Sequence, residues 1–386
     1  MRSPYLTVDL DKVEHNARTI VGLCARHGIA VTGVTKGTCG DPEVAAAMLR
    51  GGVASIGDSR VESIRRLRKA GVATSFVLLR IPSLSAADEV AEWADVSLNS
   101  ELVVLEALSA AACRRGVAHD IVVMVDLGDL REGVWPDDLL AFVRRALALP
   151  GLRIRGLGTN LSCFGGIVPS AENMGRLVAL AGEVERTFDL RLDWISGANS
   201  SGLELIASGH MPKRVNHARI GEAILLGRET THRRPWPGTF QDAFLLHAEV
   251  LELKRKPSVP IGERGEDAFG ERPAFEDRGE IVRALLNVGR EDVDIAGIAP
   301  ADSRMRILGG SSGYLVVDVT AGAARLRVGD DVAFAVNYRA LLAAMTSAHV
   351  GKRPSRGGAP VAAPAEGVET GAAAAPRTPG PARGEE

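Results

Sequence analysis

The chain has 386 residues, 46% of them hydrophobic, and a formal net charge of −2, so it can bury a sizeable core in one large domain or two and offers no basic footprint for nucleic acid. No apolar run approaches the roughly 18 residues that span a bilayer, and the first residues lack a signal peptide's apolar core, so a cytoplasmic protein away from membranes is expected. Cys24, Cys39, Cys113 and Cys163 are scattered without CxxC spacing, which argues against a zinc site or a disulfide framework and fits a reducing cytosol.

Residues 3–10 read as a short strand. Asp11 then looks like an N-cap for a helix running to about residue 26, with Val13, Ala17, Ile20, Val21 and Leu23 at helical spacing. Apolar strand candidates follow at 30–35, 53–57, 75–80, 95–98, 121–126, 155–160, 192–196 and 215–220. Between them, 43–50, 60–70, 100–115, 137–149 and 173–188 carry helical apolar spacing. Strands alternating with helices in this way predict an α/β fold, a TIM-type (β/α)₈ barrel. A doubly wound sheet is the alternative, but the first strand–helix turn lacks a GxGxxG. The barrel is expected over 1–238. From 239 to 350, short β-branched runs at 247–254, 281–288, 305–308, 314–319 and 331–336 predict a smaller all-β domain, with which residues 3–10 could pair. Residues 351–386 are rich in Ala, Pro, Gly and Arg and are expected to be a disordered tail.

Chemistry in such a barrel sits where strands end. The stretch Gly33-Val-Thr-Lys-Gly-Thr-Cys-Gly40 ends a buried strand on Lys36. A lysine there is expected to be partly desolvated, the condition under which an amine can attack a carbonyl and hold a Schiff base. Asp58, Arg60, Arg80 and Asn99 follow the next strands. Arg131 lies past the fifth strand, and Asn160 and Cys163 past the sixth. Asn199, Ser200 and Ser201 follow the seventh strand, and Arg219, Gly221 and Glu222 end the eighth. The last two groups look like a phosphate cradle of polar side chains and backbone N–H groups. One ligand carries both an aldehyde and a phosphate: pyridoxal 5′-phosphate (PLP).

The chain resembles the fold-type III PLP enzymes, the alanine racemase-like group, and within it the ornithine racemase branch. The resemblance covers residues 4–350. It is carried by Leu6-Thr-Val-Asp-Leu-Asp-Lys-Val-Glu-His-Asn16, Val31-Thr-Gly-Val-Thr-Lys36, Ser97-Leu-Asn-Ser-Glu101, Val125-Asp-Leu-Gly-Asp-Leu-Arg-Glu-Gly133, Gly158-Thr-Asn-Leu-Ser-Cys163, Ile195-Ser-Gly-Ala-Asn-Ser-Ser201, Ala218-Arg-Ile-Gly-Glu-Ala-Ile-Leu-Leu-Gly-Arg-Glu229 and Lys256-Pro-Ser-Val-Pro-Ile-Gly262. It implies a PLP-dependent amino-acid racemase acting on a small-molecule substrate. Ornithine leads, with alanine, lysine and serine behind it, and a homodimer is implied. Lys36 becomes the Schiff-base lysine and one acid/base, Arg219 the partner of the pyridine nitrogen, and Arg131 a residue near the substrate carboxylate. Ser200 and Gly221, with the N–H groups of Ser201 and Glu222, match the phosphate site. Asn160 and Cys163 fall on a loop facing the cofactor, Asn199 counts with the phosphate cradle among the cofactor-binding residues, and Cys163 stands where the group usually places a histidine.

The chain departs from the group in two further places. Alanine racemases carry a second-base tyrosine where this chain reads Asn287-Val-Gly-Arg-Glu-Asp-Val293. Cys163 is then a candidate second acid/base, since a thiol near cationic groups is activated. The group's often carbamylated lysine would fall near Met124, so the partner orienting Arg131 must differ. A diamino acid also needs an acceptor for its side-chain ammonium, for which Glu266, Asp267, Glu276 and Asp277 are candidates. A non-catalytic PLP carrier is the competing reading from outside catalysis. A decarboxylase is a second, although the Cys-Glu-Ser-x-Asp stretch of those enzymes is absent.

Overall fold

The computed structural model describes residues 3–322 and 325–360. The chain divides into two compact units. One comprises Glu14–Lys36 and Gly40–Thr239; the other comprises the N-terminal residues up to Val13, Gly37–Cys39 and Phe240–Pro360.

After β1 (Tyr5–Asp9) and α1 (Leu10–Arg26), the first unit lays down β2 (Ala30–Val34), α2 (Pro42–Arg50), β3 (Ser55–Asp58), α3 (Val61–Lys69), β4 (Phe76–Leu78), α4 (Ala87–Trp93), β5 (Val96–Asn99), α5 (Leu102–Arg115), β6 (His119–Met124), α6 (Leu139–Leu147), β7 (Leu152–Gly158), α7 (Ala171–Phe188), β8 (Trp194–Ala198), α8 (Leu203–Ala207), β9 (His217–Ile220) and α9 (Glu222–Leu226). Strands β2 to β9 pair in parallel in sequence order and close into the expected barrel. Closure is the β2–β9 pairing, with Thr32 opposite Arg219 and Gly33 opposite Ile220.

Local chemistry sets the helix boundaries. Asp41 accepts hydrogen bonds from Glu43 N and Val44 N, and Pro42 supplies a first residue with no N–H to satisfy. Ser170 and Asn173 form a reciprocal capping box at the start of α7. Val77, Val96, Leu98, Val122 and Met124 pack together as one fully buried cluster.

The second unit holds β10 (Phe244–Pro257), β11 (Glu280–Leu286), β12 (Ile298–Pro300), β13 (Arg306–Gly310), β14 (Leu315–Asp318), β15 (Asp331–Val336), α10 (Tyr338–Thr346) and β16 (Gly351–Arg356). Its sheet runs β13-β14-β11-β10-β1-β16, and β15 pairs with both β10 and β12. Strand β1 thus lies antiparallel to β10 and parallel to β16, with Leu6 and Val8 buried.

Two features differ from the sequence expectation. The unit is not purely β, because Asn337 caps a helix, α10, that buries Ala340, Leu341, Ala344 and Met345. Residues 351–356, assigned to the tail, form β16. That strand has no apolar alternation of its own. It is held by backbone pairing to β1 from Tyr5↔Gly351 to Asp9↔Ser355. The rest of the expected tail, from 361, lies outside the described residues. No helix among the described residues is long and apolar enough to cross a membrane.

Candidate active site

Lys36 opens a 3₁₀ turn just past the end of β2. The strand end is anchored by Thr35, whose N–H donates to Gly57 O at 2.9 Å and whose hydroxyl donates to Asp58 Oδ2 at 2.8 Å. Lys36 itself is exposed, and its Nζ has no hydrogen bond or ion pair among the described residues. The expectation of a desolvated amine is therefore corrected. The strand stops at Val34, so Lys36 stands beyond it, in the turn, where its side chain is open to solvent.

Arg219 is the opposite case. It sits on β9 with its side chain in the barrel, 6% exposed. Its Nη1 donates to Ser196 O at 2.9 Å and to Ser196 Oγ, and its Nη2 donates to Thr159 O at 2.5 Å. No carboxylate bonds to it, and Nε–H and the second Nη2–H are without an acceptor among the described residues. Burial pulls this guanidinium down to about 10. Glu132 and Cys163 oppose the fall, and Arg131 adds to it.

His217 lies two residues before Arg219, on the same face of β9. Its Nε2 is 2.8 Å from Thr32 Oγ1 and its Nδ1 is 2.7 Å from Ser196 Oγ. Trp194 stacks on the imidazole with ring centroids 3.9 Å apart, and Arg155 lies 4.1 Å over the indole. Burial, with Arg219 and Arg155 behind it, holds His217 well below the ordinary histidine value. The ring is neutral, and Ser196 Oγ, bonded to both side chains, links it to Arg219. Below about pH 6.5 the unfolded chain takes up a proton that the native state refuses. Native stability is therefore expected to fall with acidity from that point, by about 1.4 kcal/mol per pH unit for this group. Melting curves from pH 7 to pH 5 should show a shallower decline for His217→Gln than for the parent, and equal slopes would overturn the assignment.

The loop between β6 and α6 carries Arg131. Its guanidinium grips Glu132 through Nε, and through Nη2 to Oε1 at 2.7 Å. Burial works against the charge of Arg131, but the Glu132 carboxylate, with Cys163 and Asp129 adding, holds its pKa above the ordinary value. Glu132 is thus the partner that orients Arg131. Loop conformation also depends on Gly133, at φ +142°, where a Cβ would stand 2.2 Å from Asp126 N.

Asn199 organises the facing turn. Its Nδ2 donates to Asn160 Oδ1 at 3.2 Å and Leu161 O at 2.9 Å, and lies 3.9 Å from Cys163 Sγ. Its Oδ1 accepts from both the N–H and the hydroxyl of Ser201. The Ser201 N–H, expected to be available to an anion, is therefore engaged. Ser200 Oγ accepts from Ala223 N at 3.1 Å, tying this turn to the start of α9. A Cβ on Gly221 would stand 3.1 Å from Val34 Cβ, two residues before Lys36. Glu222 makes a bidentate pair with Arg233 at 2.6 and 2.9 Å, while burial raises its pKa against that cation.

Contacts thus run from Val34 through Gly221, Ser200 and Asn199 to Cys163. Cys163 and Arg131 are both close enough to Arg219 to act on its charge. The sequence alone marks neither Glu132 nor His217. The first is adjacent to Arg131 in an irregular loop, where spacing implies no contact. The second is signalled only by sharing a strand face with Arg219. In the second unit, three of the four acidic candidates are engaged with that unit's own residues: Asp267 accepts from Phe269 N and Glu271 N, Glu276 pairs with Arg306, and Asp277 accepts from Gly279 N.

Residues 8–229 match the family model described as alanine racemase, N-terminal domain. The chain is 39% identical to an ornithine racemase of Acetoanaerobium sticklandii, over 90% of this chain and 99% of the relative. It is 38% identical to a lysine racemase of Thermotoga maritima, over 90% of this chain and 98% of the relative. Among solved structures, alanine racemase from Bartonella henselae with covalently bound pyridoxal phosphate superposes with a TM-score of 0.70 at 17% identity, over 92% of this chain and 100% of that one. Matched by the family model over more than half its length and by two relatives over nine-tenths of it, the chain belongs to the alanine racemase family.

Proposed function

We propose that the protein is a PLP-dependent amino-acid racemase, an isomerase that interconverts the L- and D-forms of a diamino acid, ornithine first and lysine second. The reading includes a cytoplasmic homodimer whose barrel unit is the cofactor-binding domain. One observation carries it. The C-terminal ends of neighbouring barrel strands present an exposed amine on Lys36 and a buried guanidinium on Arg219, the first unengaged and the second with no carboxylate partner among the described residues. The names of the relatives, ornithine racemase and lysine racemase, support the substrate class.

The residues present fit the cofactor. Asn99 Oδ1 and Thr159 Oγ1 are buried polar atoms with no partner among the described residues, a state that costs about 1–3 kcal/mol each when it is not relieved. Gly221 packs so closely on Val34 that a Cβ there, 3.1 Å from Val34 Cβ, would push its neighbour by a few tenths of an ångström. Lys36 Nζ would hold PLP at its aldehyde carbon. Ser200, with the backbone at Gly221 and Glu222, would hold the phosphate, and Ser201, Asn199 and Asn160 keep the surrounding turns in place. Arg219 would stand against the ring nitrogen.

When bound, PLP withdraws electrons from the substrate's α-carbon and so acidifies its hydrogen. Arg219 keeps its proton at neutral pH even when pulled to about 10, so it would donate to the ring nitrogen and leave that nitrogen unprotonated. That weakens the electron sink and favours proton exchange over bond-breaking elsewhere. Arg131, oriented by Glu132, receives the substrate carboxylate. Once the substrate's amine has displaced it from the aldehyde carbon, Lys36 Nζ would move the α-proton on one face, and Cys163 Sγ would move it on the other.

The test is incubation of the PLP-loaded protein with L-ornithine in D₂O, following α-hydrogen exchange and chiral composition together. Deuterium incorporation with appearance of D-ornithine is expected. Bound PLP absorbance without exchange on ornithine, lysine, alanine or serine would overturn the racemase and leave a cofactor carrier.

A further inference from the structure

Asp129 is a carboxylate with 1% exposure and no ion pair among the described residues. Its charge is met by backbone N–H groups of a different loop, the one between β7 and α7. Oδ2 accepts from Cys163 N at 3.2 Å and Phe164 N at 2.9 Å, and Oδ1 accepts from Ile167 N at 3.2 Å. The Asp129 carbonyl accepts a fourth bond, from Gly165 N at 3.1 Å. The approach is close: a Cβ on Gly165 would stand 2.7 Å from that carbonyl oxygen.

Both loops are bent into conformations that side chains disfavour. Leu130, beside Asp129, has φ +54°, and Ser162, beside Cys163, has φ +58°. Each is closed by short-range hydrogen bonds. Asp126 Oδ1 accepts from Gly128 N and Leu130 N, and Ser162 Oγ donates to Ile167 O at 2.7 Å. Left-handed non-glycine residues persist where the surroundings over-determine them. Here the loops are joined by one main-chain bond, from Gly165 N, and by the three bonds that the Asp129 side chain accepts.

We propose that Asp129 is a positioning residue that clasps the Cys163 loop to the Arg131 loop and so keeps the Cys163 side chain beside Arg131 and Arg219. The clasp stands on geometry alone. Its consequence for catalysis rests on the function proposed above, because it assumes that Cys163 carries the proton on one face. Three N–H bonds into a buried carboxylate are charge-assisted and stronger than neutral ones. A neutral replacement keeps fewer acceptors, and alanine keeps none. Losing the clasp frees the segment 162–167 without touching a barrel strand.

The experiment compares Asp129→Ala and Asp129→Asn with the parent holoenzyme. Amide hydrogen exchange at Cys163, Phe164 and Ile167 is expected to accelerate at least about tenfold in Asp129→Ala and less in Asp129→Asn, with barrel-strand amides unchanged. On ornithine in D₂O, the ratio of inversion to α-hydrogen exchange is expected to fall. One base still works from its own side while the opposite one is displaced. Should Asp129→Ala not fold, Asp129→Asn, which keeps volume and one acceptor oxygen, carries the test. Unchanged exchange at the three amides overturns the clasp whatever the activity. Faster exchange with an unchanged inversion ratio overturns the positioning of Cys163. Faster exchange in a protein whose parent does not racemise supports the clasp and removes only the racemase reading.

Discussion

Lys36→Ala is expected to lower racemisation of ornithine by about 10⁴-fold, the upper end of what one positioned proton-transfer group contributes. The size follows from asking one amine to bind the cofactor's aldehyde carbon and to move the α-proton. The same change should leave folding almost untouched. Lys36 is exposed and makes no hydrogen bond or ion pair among the described residues, and its removal opens no cavity. Surface changes of that kind stay within about 0.5 kcal/mol. The contrast between lost turnover and a retained melting curve is therefore diagnostic. Chiral chromatography of the reaction, read against thermal unfolding of both proteins, checks it. Turnover above a tenth of the parent's would remove Lys36 from the chemistry.

Arg219→Met is the second large expectation, and its logic runs through opposing magnitudes. Burial costs this guanidinium the difference between 12.5 and about 10 in pKa, on the order of 3 kcal/mol of disfavour for its charged form. Methionine removes that penalty and fills similar space. It also leaves Thr159 O without the Arg219 donor, at about 1–3 kcal/mol, while Ser196 O keeps Thr159 N at 3.1 Å and Ser196 Oγ keeps His217 Nδ1 at 2.7 Å. The two effects have similar size and opposite sign, so the melting temperature should move by less than about 5 °C. Activity should fall about 100- to 1000-fold, the usual loss when one preorganised donor is removed from a reacting site. Arg219→Lys should fare little better, because an ammonium lacks the planar fork that spans β7 and β8. A parent-like rate in either variant would show that Arg219 serves only the packing of the barrel.

The barrel was legible in the sequence because its strands are apolar and each is followed by a polar turn, so period and punctuation agree. The expected segment 30–35 became β2 at Ala30–Val34, and 215–220 became β9 at His217–Ile220. Strand β12, with three residues, and helix α4, with seven, were not among the predicted segments, being too short to carry a period of their own. Helix α10 follows a strand directly through one capping residue, Asn337, and so reads as more of the β-rich region around it. Strand β16 has no pattern to read, because backbone pairing to β1 is blind to side-chain type.

The site divides along the same line. Lys36, Arg131, Asn160, Cys163, Asn199, Ser200, Ser201, Arg219, Gly221 and Glu222 could be picked out in sequence, because strand ends mark where polar residues converge and the family resemblance labels them. What each side chain meets was decided only by tertiary structure. A turn just past β2 exposes Lys36, barrel closure buries Arg219 beside a neutral His217, and a chance of loop geometry gives Arg131 its neighbour Glu132 as a partner. Asp129 reaches Cys163 across 34 positions of chain. Local pattern determines which residues form strands and turns. Hydrogen-bond partners and solvent access depend on which distant segments the closed barrel brings together, and no spacing along the chain encodes that distance.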